Sequence, residues 1–387
     1  MRAWSKVTIG ELGRVVTGAT PRTGDDAAWG DEVDFITPTE MSYSNREPTG
    51  CRRLSREGLE PLTRRLIPAG SVLFACIGFS TGKVARISRP AVTNQQVNSL
   101  VPDPSVIDSR FAYYLLRKYS TDIRHIASGS TTPIVNKSTF QAFEVELPGL
   151  PEQRTIAAVL GALDDKIAVN ERIITTADEL IRCLFSEALL QPGVREVGVF
   201  DALDIIFGAP FASTQFNSEQ VGRPLLRIRD LKTFQPQVWT TQRLDKELVV
   251  APGDTVAGMD AEFRPTFWLG ESALLNQRVL HARSRVGGGS PLSREVLRTP
   301  LATIEGYKTG TTVAHLNKGD LMTLRLEIPS SAAIASFEAL AEPVHKRIVA
   351  AAAESRTLAA LRETLLPQLM SGKLRLRDAE RIVEDAA

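Results

Sequence analysis

The sequence predicts an α+β fold, built as two tandem copies of one mixed domain separated by two long helices that pair as an antiparallel coiled coil. Three observations predict it: a segment that recurs about 180 residues downstream, a long heptad-like apolar stripe after each copy, and short alternating strand-like runs before each stripe. Residues 129–148 read GSTTPIVNKSTFQAFEVELP and residues 310–329 read GTTVAHLNKGDLMTLRLEIP; aligned without gaps they share six identities in twenty. Average composition gives roughly one. The offset persists upstream, where Asn94-Gln95-Gln96-Val97 matches Asn276-Gln277-Arg278-Val279 and Gly70-Ser71-Val72-Leu73 matches Gly253-Asp254-Thr255-Val256. Near the start it drifts, with Glu40-Met41 facing Asp230-Leu231. A period this long is a whole domain with its connector, far longer than a solenoid repeat.

The first stripe carries Ile156, Leu160, Leu163, Ile167, Ile174, Ala177, Ile181 and Leu184, in steps of four and three, with Asn170 at the one polar position. That spacing is the seam of a helix that packs lengthwise on another. Pro151 marks its start and Pro192-Gly193 its end. The second runs Phe337, Leu340, Val344, Ile348, Ala351, Ser355, Leu358, Leu361 and Leu365, stopping near Pro367, and Pro343 predicts a start or a kink there. Helices of roughly 30 to 36 residues span ~45–54 Å. Their stripes are either ordinary core faces or each other's partner, and the duplication favours mutual pairing.

Each copy offers about 140 residues of mixed character. Strand-like runs lie at Asp34–Thr37, Val72–Ile77, Lys83–Ile87 and Val97–Val101. A helix follows, with Asp108 as its N-cap and Phe111, Leu115, Tyr119, Ile123 and Ile126 on one face. Phe143, Val145 and Leu147 then alternate as a strand. The expected boundaries are 1–148 and 192–330 for the domains, 149–191 and 331–375 for the helices, and 376–387 for a tail.

Hydrophobic residues make up 43% and charged residues 24%, ordinary for a soluble domain. Cys51, Cys76 and Cys183 have no ligand spacing, and no apolar run reaches the ~20 residues that span a bilayer, so a cytoplasmic chain without membrane contact is expected. The four histidines (His125, His281, His315, His345) are scattered and predict no metal site. Gly78-Phe79-Ser80-Thr81-Gly82-Lys83 lacks the spacing of a phosphate-binding loop and reads as a hairpin turn. Gly287-Gly288-Gly289-Ser290 reads as a loop, and Asp164-Asp165 as a solvated or capping face. No catalytic residue is proposed.

Net charge is only +1, so any nucleic-acid footprint is local. The bias of 35 Arg over 11 Lys fits guanine and phosphate recognition, or a GC-rich genome, equally well. Arg46, Arg52, Arg53, Arg56, Arg64 and Arg65 crowd a segment near Tyr43; Arg227, Arg229 and Lys232 cluster in the second copy, as do Arg278, Arg283 and Arg285. The duplicated loops place Thr131 and Lys137, then Thr311 and Lys318, beside Asn136 and Asn317, either gripping phosphate or simply forming a turn. The candidate DNA-binding set is Arg22, Tyr43, Arg46, Arg52, Lys83, Thr131, Lys137, Arg227, Arg229, Arg264, Lys308, Thr311 and Lys318. The candidate spacer and partner-binding set is Ile156, Leu160, Leu163, Ile167, Asn170, Ile174, Val344, Ile348, Leu358 and Leu365.

Two stretches resemble a known family: Leu147-Pro148 through Leu150-Pro151-Glu152-Gln153 with Ile156-Ala157, Leu160, Leu163-Asp164 and Ile167, and Leu361-Arg362-Glu363-Thr364-Leu365-Leu366-Pro367-Gln368-Leu369-Met370-Ser371-Gly372-Lys373-Leu374. With the duplication, the whole chain resembles the DNA specificity subunit of type I restriction-modification enzymes. The resemblance implies two target-recognition domains, each reading half of a bipartite site on double-stranded DNA. It implies a two-helix spacer that docks two adenine-methyltransferase (modification) subunits, with restriction/translocase subunits able to join. No cofactor is expected in this chain; S-adenosylmethionine and ATP with Mg belong to the partners. Departures are Arg278 where the first copy has Gln96, and the Ala-rich stretch 350–353 where it has Val169-Asn170-Glu171. The rival readings are a coiled-coil adaptor or scaffold whose domains bind proteins, and a DNA-modifying enzyme with an unrecognised site.

Overall fold

A computed structural model of the chain describes residues 4–22, 24–41, 47–127, 134–308 and 315–372, with single positions 374, 379 and 381. It divides into two compact units, residues 1–166 with 358–387, and residues 167–357. Each unit therefore combines a globular body with a stretch of both long helices.

In the first unit the strands are β1 (Ser5–Thr8), β2 (Gly13–Thr17), β3 (Trp29–Ile36), β4 (Arg52–Leu54), β5 (Val72–Ala75), β6 (Val84–Arg86), β7 (Ala91–Thr93), β8 (Val97–Pro102) and β9 (Glu144–Leu147). A four-stranded sheet runs β2-β8-β5-β6, a smaller one β4-β3-β7, and β1 pairs with β9. β5 is buried at every position, as expected of a central strand. β9 alternates exposed Glu144 and Glu146 with buried Val145 and Leu147, the period of a strand covered on one side. Leu73, Ala75, Ile36, Met41 and Val97 fill the core.

The helix Ser109–Lys118 starts where Asp108 accepts hydrogen bonds from the backbone N–H groups of Arg110 and Phe111. It ends at Tyr119, and a second short helix, Ser120–His125, carries Ile123 into the core but leaves Ile126 exposed, so the expected apolar face is one residue too long.

The second unit repeats the plan with β10 (Arg195–Gly198), β11 (Leu203–Phe207), β12 (Phe216–Asn217), β13 (Arg223–Leu226), β14 (Trp239–Thr240), β15 (Val249–Val250), β16 (Thr255–Gly258), β17 (Pro265–Phe267), β18 (Ala273–Leu275), β19 (Val279–Ser284) and β20 (Arg325–Ile328). The sheet order β11-β19-β16-β17 matches β2-β8-β5-β6, and β10 pairs with β20 as β1 does with β9. In both units one parallel pair joins the smaller sheet, β3 with β7 and β13 with β18. The smaller sheet of the second unit has gained strands, in the order β12-β14-β13-β18-β15. The duplication read from twenty residues is thus present in the strand pairing of both bodies.

The central helix spans Leu150–Leu189 and the C-terminal helix Ser331–Leu369. The latter begins well before Pro343 and passes Pro367, so neither proline bounds it. Pro343 and Ala339 are both exposed. The Ala339 carbonyl left without its helical partner can therefore turn to water, which lowers the cost of an interior proline. Within the second unit the helices run antiparallel: Asn170 Nδ2 donates to Glu354 Oε2 at 2.8 Å, and further along the central helix Phe185 meets Phe337 with ring centroids 5.9 Å apart. Leu340 is exposed and Ala341 buried, shifting the expected stripe by one position.

Candidate nucleic-acid interface and helical spacer

In the first unit, hydrogen bonds tie five loops together. The Asn94 N–H donates to Ile36 O (3.2 Å), Cys76 N–H to Gln96 O (2.8 Å) and Val135 N–H to Cys76 O (2.9 Å). Thr20 Oγ1 lies 2.7 Å from Gln95 Oε1, and Lys83 Nζ donates to Pro38 O at 3.2 Å. These bonds gather the loops after β2, β3, β5 and β7 and the segment at 134–137. Of the candidate residues, Arg22, Lys83 and Lys137 lie on this set, Arg22 and Lys137 exposed and Lys83 half-buried. Arg52 is on β4, its guanidinium 3.2 Å from the centroid of the Trp29 ring. Tyr43, Arg46 and Thr131 lie outside the described residues.

The arginine-rich segment between 46 and 65 does not act as one patch. Arg53 pairs with buried Asp34 (3.2 Å) and Arg65 donates to Thr17 O (2.6 Å), so both hold the body together.

The second unit has the corresponding loops with different chemistry. The acid of each Glu40/Asp230 pair accepts the N–H three residues earlier: Glu40 from Thr37 at 2.8 Å, Asp230 from Arg227 at 2.9 Å. The match predicted from Glu40-Met41 and Asp230-Leu231 is therefore a shared turn. Burial pushes the Asp230 carboxyl above the usual carboxylate range, opposed by the Arg227 N–H and charge. Arg227 is spent here, its Nε 3.6 Å from Asp230.

A cleft of 480 Å³ lies between the turn at Ile228–Leu231 and the β16–β17 hairpin. Arg229, Lys232 and Arg264 line it together with Asp260 and Glu262. Lys232 pairs with Glu262 at 2.9 Å and holds its carboxyl below the usual range. Asp260 is shared by His315 (Nδ1 at 2.6 Å) and Arg278 (Nε at 3.5 Å). The structure thus brings Arg229 and Arg264 together and adds two carboxylates that the sequence reading missed; the Asn276–Val279 repeat was the signal nearest to them. Arg283 and Arg285 are not part of a cluster with Arg278: β19 separates them, and Arg285 pairs with Asp204 at 3.3 Å. Lys308 ends the helix Gly289–Lys308, with its side chain outside the described residues, as is Thr311.

The duplicated Asn-Lys is a helix cap. Asn136 accepts from the Thr139 N–H at 2.8 Å to start Lys137–Ala142, and Asn317 from the Asp320 N–H at 3.0 Å to start Lys318–Thr323. Lys137 and Lys318 are the exposed first helical residues. The turn reading of Asn therefore holds, and the lysines alone remain available to a ligand.

Along the helices, Ile156, Leu160 and Leu163 are buried, as are Leu358 and Leu365, all in the first unit. In the second unit Ile348 and Asn170 are buried and Ile174 and Val344 pack half-buried against the same core, while Ile167 is half-buried. These residues are the internal seam rather than a free docking face. The apolar surface left open in the second unit is offset from it, at Val169, Leu180 and Leu340.

Asp164 is buried, against the expectation of a solvated face: Arg362 Nη1 pairs with it and Tyr114 Oη donates to it at 2.5 Å. Gln153, fully buried, accepts from the Asp108 N–H (2.9 Å) and donates to the carbonyls of Pro148 (2.8 Å) and Val106 (3.2 Å), latching the start of the central helix to its body. Ile334 holds the matching place in the second copy, where Glu338, one turn further along, accepts from the Gly288 N–H at 2.9 Å instead.

Among the described residues, no set of three or more His, Cys, Asp or Glu side chains could hold a metal ion, and no helix is long and apolar enough to cross a membrane.

Residues 1–178 match the family described as the type I restriction modification DNA specificity domain. A type I restriction enzyme specificity subunit from Methanocaldococcus jannaschii, MjaIX, is 23% identical over 97% of this chain and 94% of its own length. The first 178 residues therefore carry the type I specificity domain, and the chain as a whole is similar to a type I specificity subunit over nearly its full length. A further member, the HindI specificity subunit of Haemophilus influenzae, is 32% identical over 150 residues, 38% of this chain and 32% of that one. Among solved structures, the type I S subunit from M. genitalium shares the fold with a TM-score of 0.61 at 14% identity, covering 95% of this chain and 96% of that one. In this chain the Leu150-Pro151-Glu152-Gln153 stretch has a physical basis in the Gln153 latch.

Proposed function

We propose that this chain is the DNA-reading specificity subunit of a type I restriction-modification complex, recognising a bipartite site with one half per unit and carrying no catalysis of its own. The observation that carries the reading is the duplication: two bodies with the same strand pairings, each ending in the same set of loops and each followed by one long helix. Two equivalent readers on one chain suit a target of two half-sites, because engaging the first raises the effective concentration of the second. The specificity-domain match over residues 1–178 and the similarity to a specificity subunit along the chain favour this over the adaptor reading.

In this reading Arg22, Lys83, Lys137, Arg229, Arg264 and Lys318 meet phosphates or base edges. Residues 1–148 and 192–330 act as the target-recognition domains. Two methyltransferase subunits dock on the helices, with restriction/translocase subunits joining them. S-adenosylmethionine, ATP and Mg belong to those partners, and the assembly works in the cytoplasm.

The test is to express the chain with a methyltransferase partner and sequence the methylated sites, with and without this gene. Exchanging residues 1–148 for those of a relative should change one half of the motif alone, and exchanging 192–330 the other. A swap that altered both halves, or methylation that did not need this chain, would refute the reading.

A further inference from the structure

Phe79 has a relative accessibility of 108%, the greatest among the described large apolar side chains, and the surrounding backbone displays it. It stands in the loop that joins β5 to β6. Gly78 (φ +70°) and Gly82 (φ +95°) bend the chain on either side, and nothing lies within 4 Å of where a Cβ would stand on Gly78. The loop is pinned below the ring: the buried Thr81 bonds Gly78 O through both N–H (3.1 Å) and Oγ1 (2.7 Å), and the Gly82 N–H donates to Ala75 O (3.0 Å). A ring held out in this way contributes nothing to the core, and burial elsewhere is the gain such a residue forgoes.

The surroundings indicate what covers it. Exposed Gln95 and Gln96 stand on the adjoining turn, with the Lys83 amine on the same hairpin and Arg22 on the loop bonded to Gln95. Amides that pair with base edges, cations that pair with phosphates and one isolated aromatic ring are what a DNA duplex takes together. An aromatic or aliphatic wedge inserted at a base step is an established way to deform DNA. A protein-docking face would surround the ring with further apolar surface, whereas among the described residues the exposed large apolar side chain tied to this hairpin is Ile134, 40% exposed, through its bridge to Ile77.

We infer that Phe79 is a specificity-determining wedge that enters the base stack of the half-site read by the first unit. The inference rests on the specificity-subunit reading above. It also predicts asymmetry. The corresponding hairpin of the second unit turns at Ala261, and its phenylalanine, Phe263, is fully buried with its N–H donating to Glu305 at 3.0 Å. The second half-site is therefore read without a wedge.

The test uses the chain in complex with its methyltransferase partner. Methylated-site sequencing of the wild type first gives the motif and, by domain exchange, assigns its halves. Duplexes carrying 2-aminopurine at each A·T pair of the motif and its flanks then report unstacking. Besides the rises at the adenines that the methyltransferase flips out for methylation, the expected result is one further rise, at a single step of the first half-site. Phe79→Ala should abolish that rise and weaken binding on the order of 10- to 100-fold, the scale of one base–aromatic stack. Phe79→Trp should keep both. The unfolding midpoint of Phe79→Ala should match the wild type, because the ring touches no core. A motif that persists with unchanged affinity in Phe79→Ala, a rise at that further step that survives the substitution, or a loss confined to methyltransferase association would overturn the inference and leave the specificity reading standing. Absence of any wild-type motif would overturn that reading, and the wedge with it.

Discussion

Removing the Arg362 side chain should unfold the first unit well before the second. Arg362 is 8% exposed and Asp164 6%, and Tyr114 Oη also donates to the Asp164 carboxylate. Arg362→Met keeps most of the volume and deletes the charge, leaving a buried carboxylate without its guanidinium. Breaking a buried pair from one side costs about 3–5 kcal/mol. For a unit of roughly 200 residues, about 2–4 °C of midpoint per kcal/mol makes the fall about 6–20 °C. Calorimetry of the full chain reads it as one transition moving down. The double variant Asp164→Leu with Arg362→Met should recover most of the loss, because no charge is then stranded. A fall worth less than about 1 kcal/mol would place the pair among solvated surface pairs and refute the assignment of residues 358–387 to the first unit's core.

Other outcomes follow from single contacts. Burial pushes the Cys76 thiol up to about 11, while Cys51 and Cys183 are exposed, so iodoacetamide at pH 8 should add two groups to the native chain and a third only on unfolding, read by intact mass. Asn136→Ala and Asn317→Ala should each cost about 1 kcal/mol in urea unfolding, the worth of an N-cap, with Asp restoring it. Seven residues inserted after Lys166 and again after Thr357 preserve the heptad and add ~10.5 Å, about three base pairs, so methylated sites should keep both half-sites with a longer gap. An unchanged gap at full activity would mean that docked partners fix the spacing.

The long-range periodic features were legible in the sequence, and the features made by distant pairs were not. A seven-residue stripe sustained through forty residues leaves little choice of structure, and Asn170 stood out as its one polar position. The duplicated strand at Val145 and Leu326 was equally plain, since both positions are buried by alternation. Asp164 was misjudged because its partner, Arg362, lies 198 residues away and nothing local marks it. Leu340 was misjudged because a heptad frame drifts against a helix of 3.6 residues per turn, and at that level the helix turns Ala341 inward instead. At the loop ends, counting basic residues could not separate Arg229 and Arg264, which share a cleft, from Arg53 and Arg65, which brace the body. That distinction depends on which carbonyls and carboxylates the fold brings within reach.

The polar residues of the helix seam explain how a spacer built from a repeating stripe keeps one length. Leu and Ile at every seam position would fit nearly as well after a slip of one heptad, because each knob would find a similar hole. The buried Asn170 is matched to Glu354 in the second unit, and the buried Asp164 to Arg362 in the first. A slip of seven residues would part the buried Asn170, Asp164 and Arg362 from these partners, at a cost that apolar contacts regained elsewhere would not offset. Ala351 and Ala352, both buried, remove bulk close to Glu354. The departure from an all-apolar stripe therefore trades some stability for register. On the proposed reading of two half-sites, a fixed register is what a constant gap between them requires, so exchanging the polar pairs for Leu should loosen the gap seen in the methylated sites.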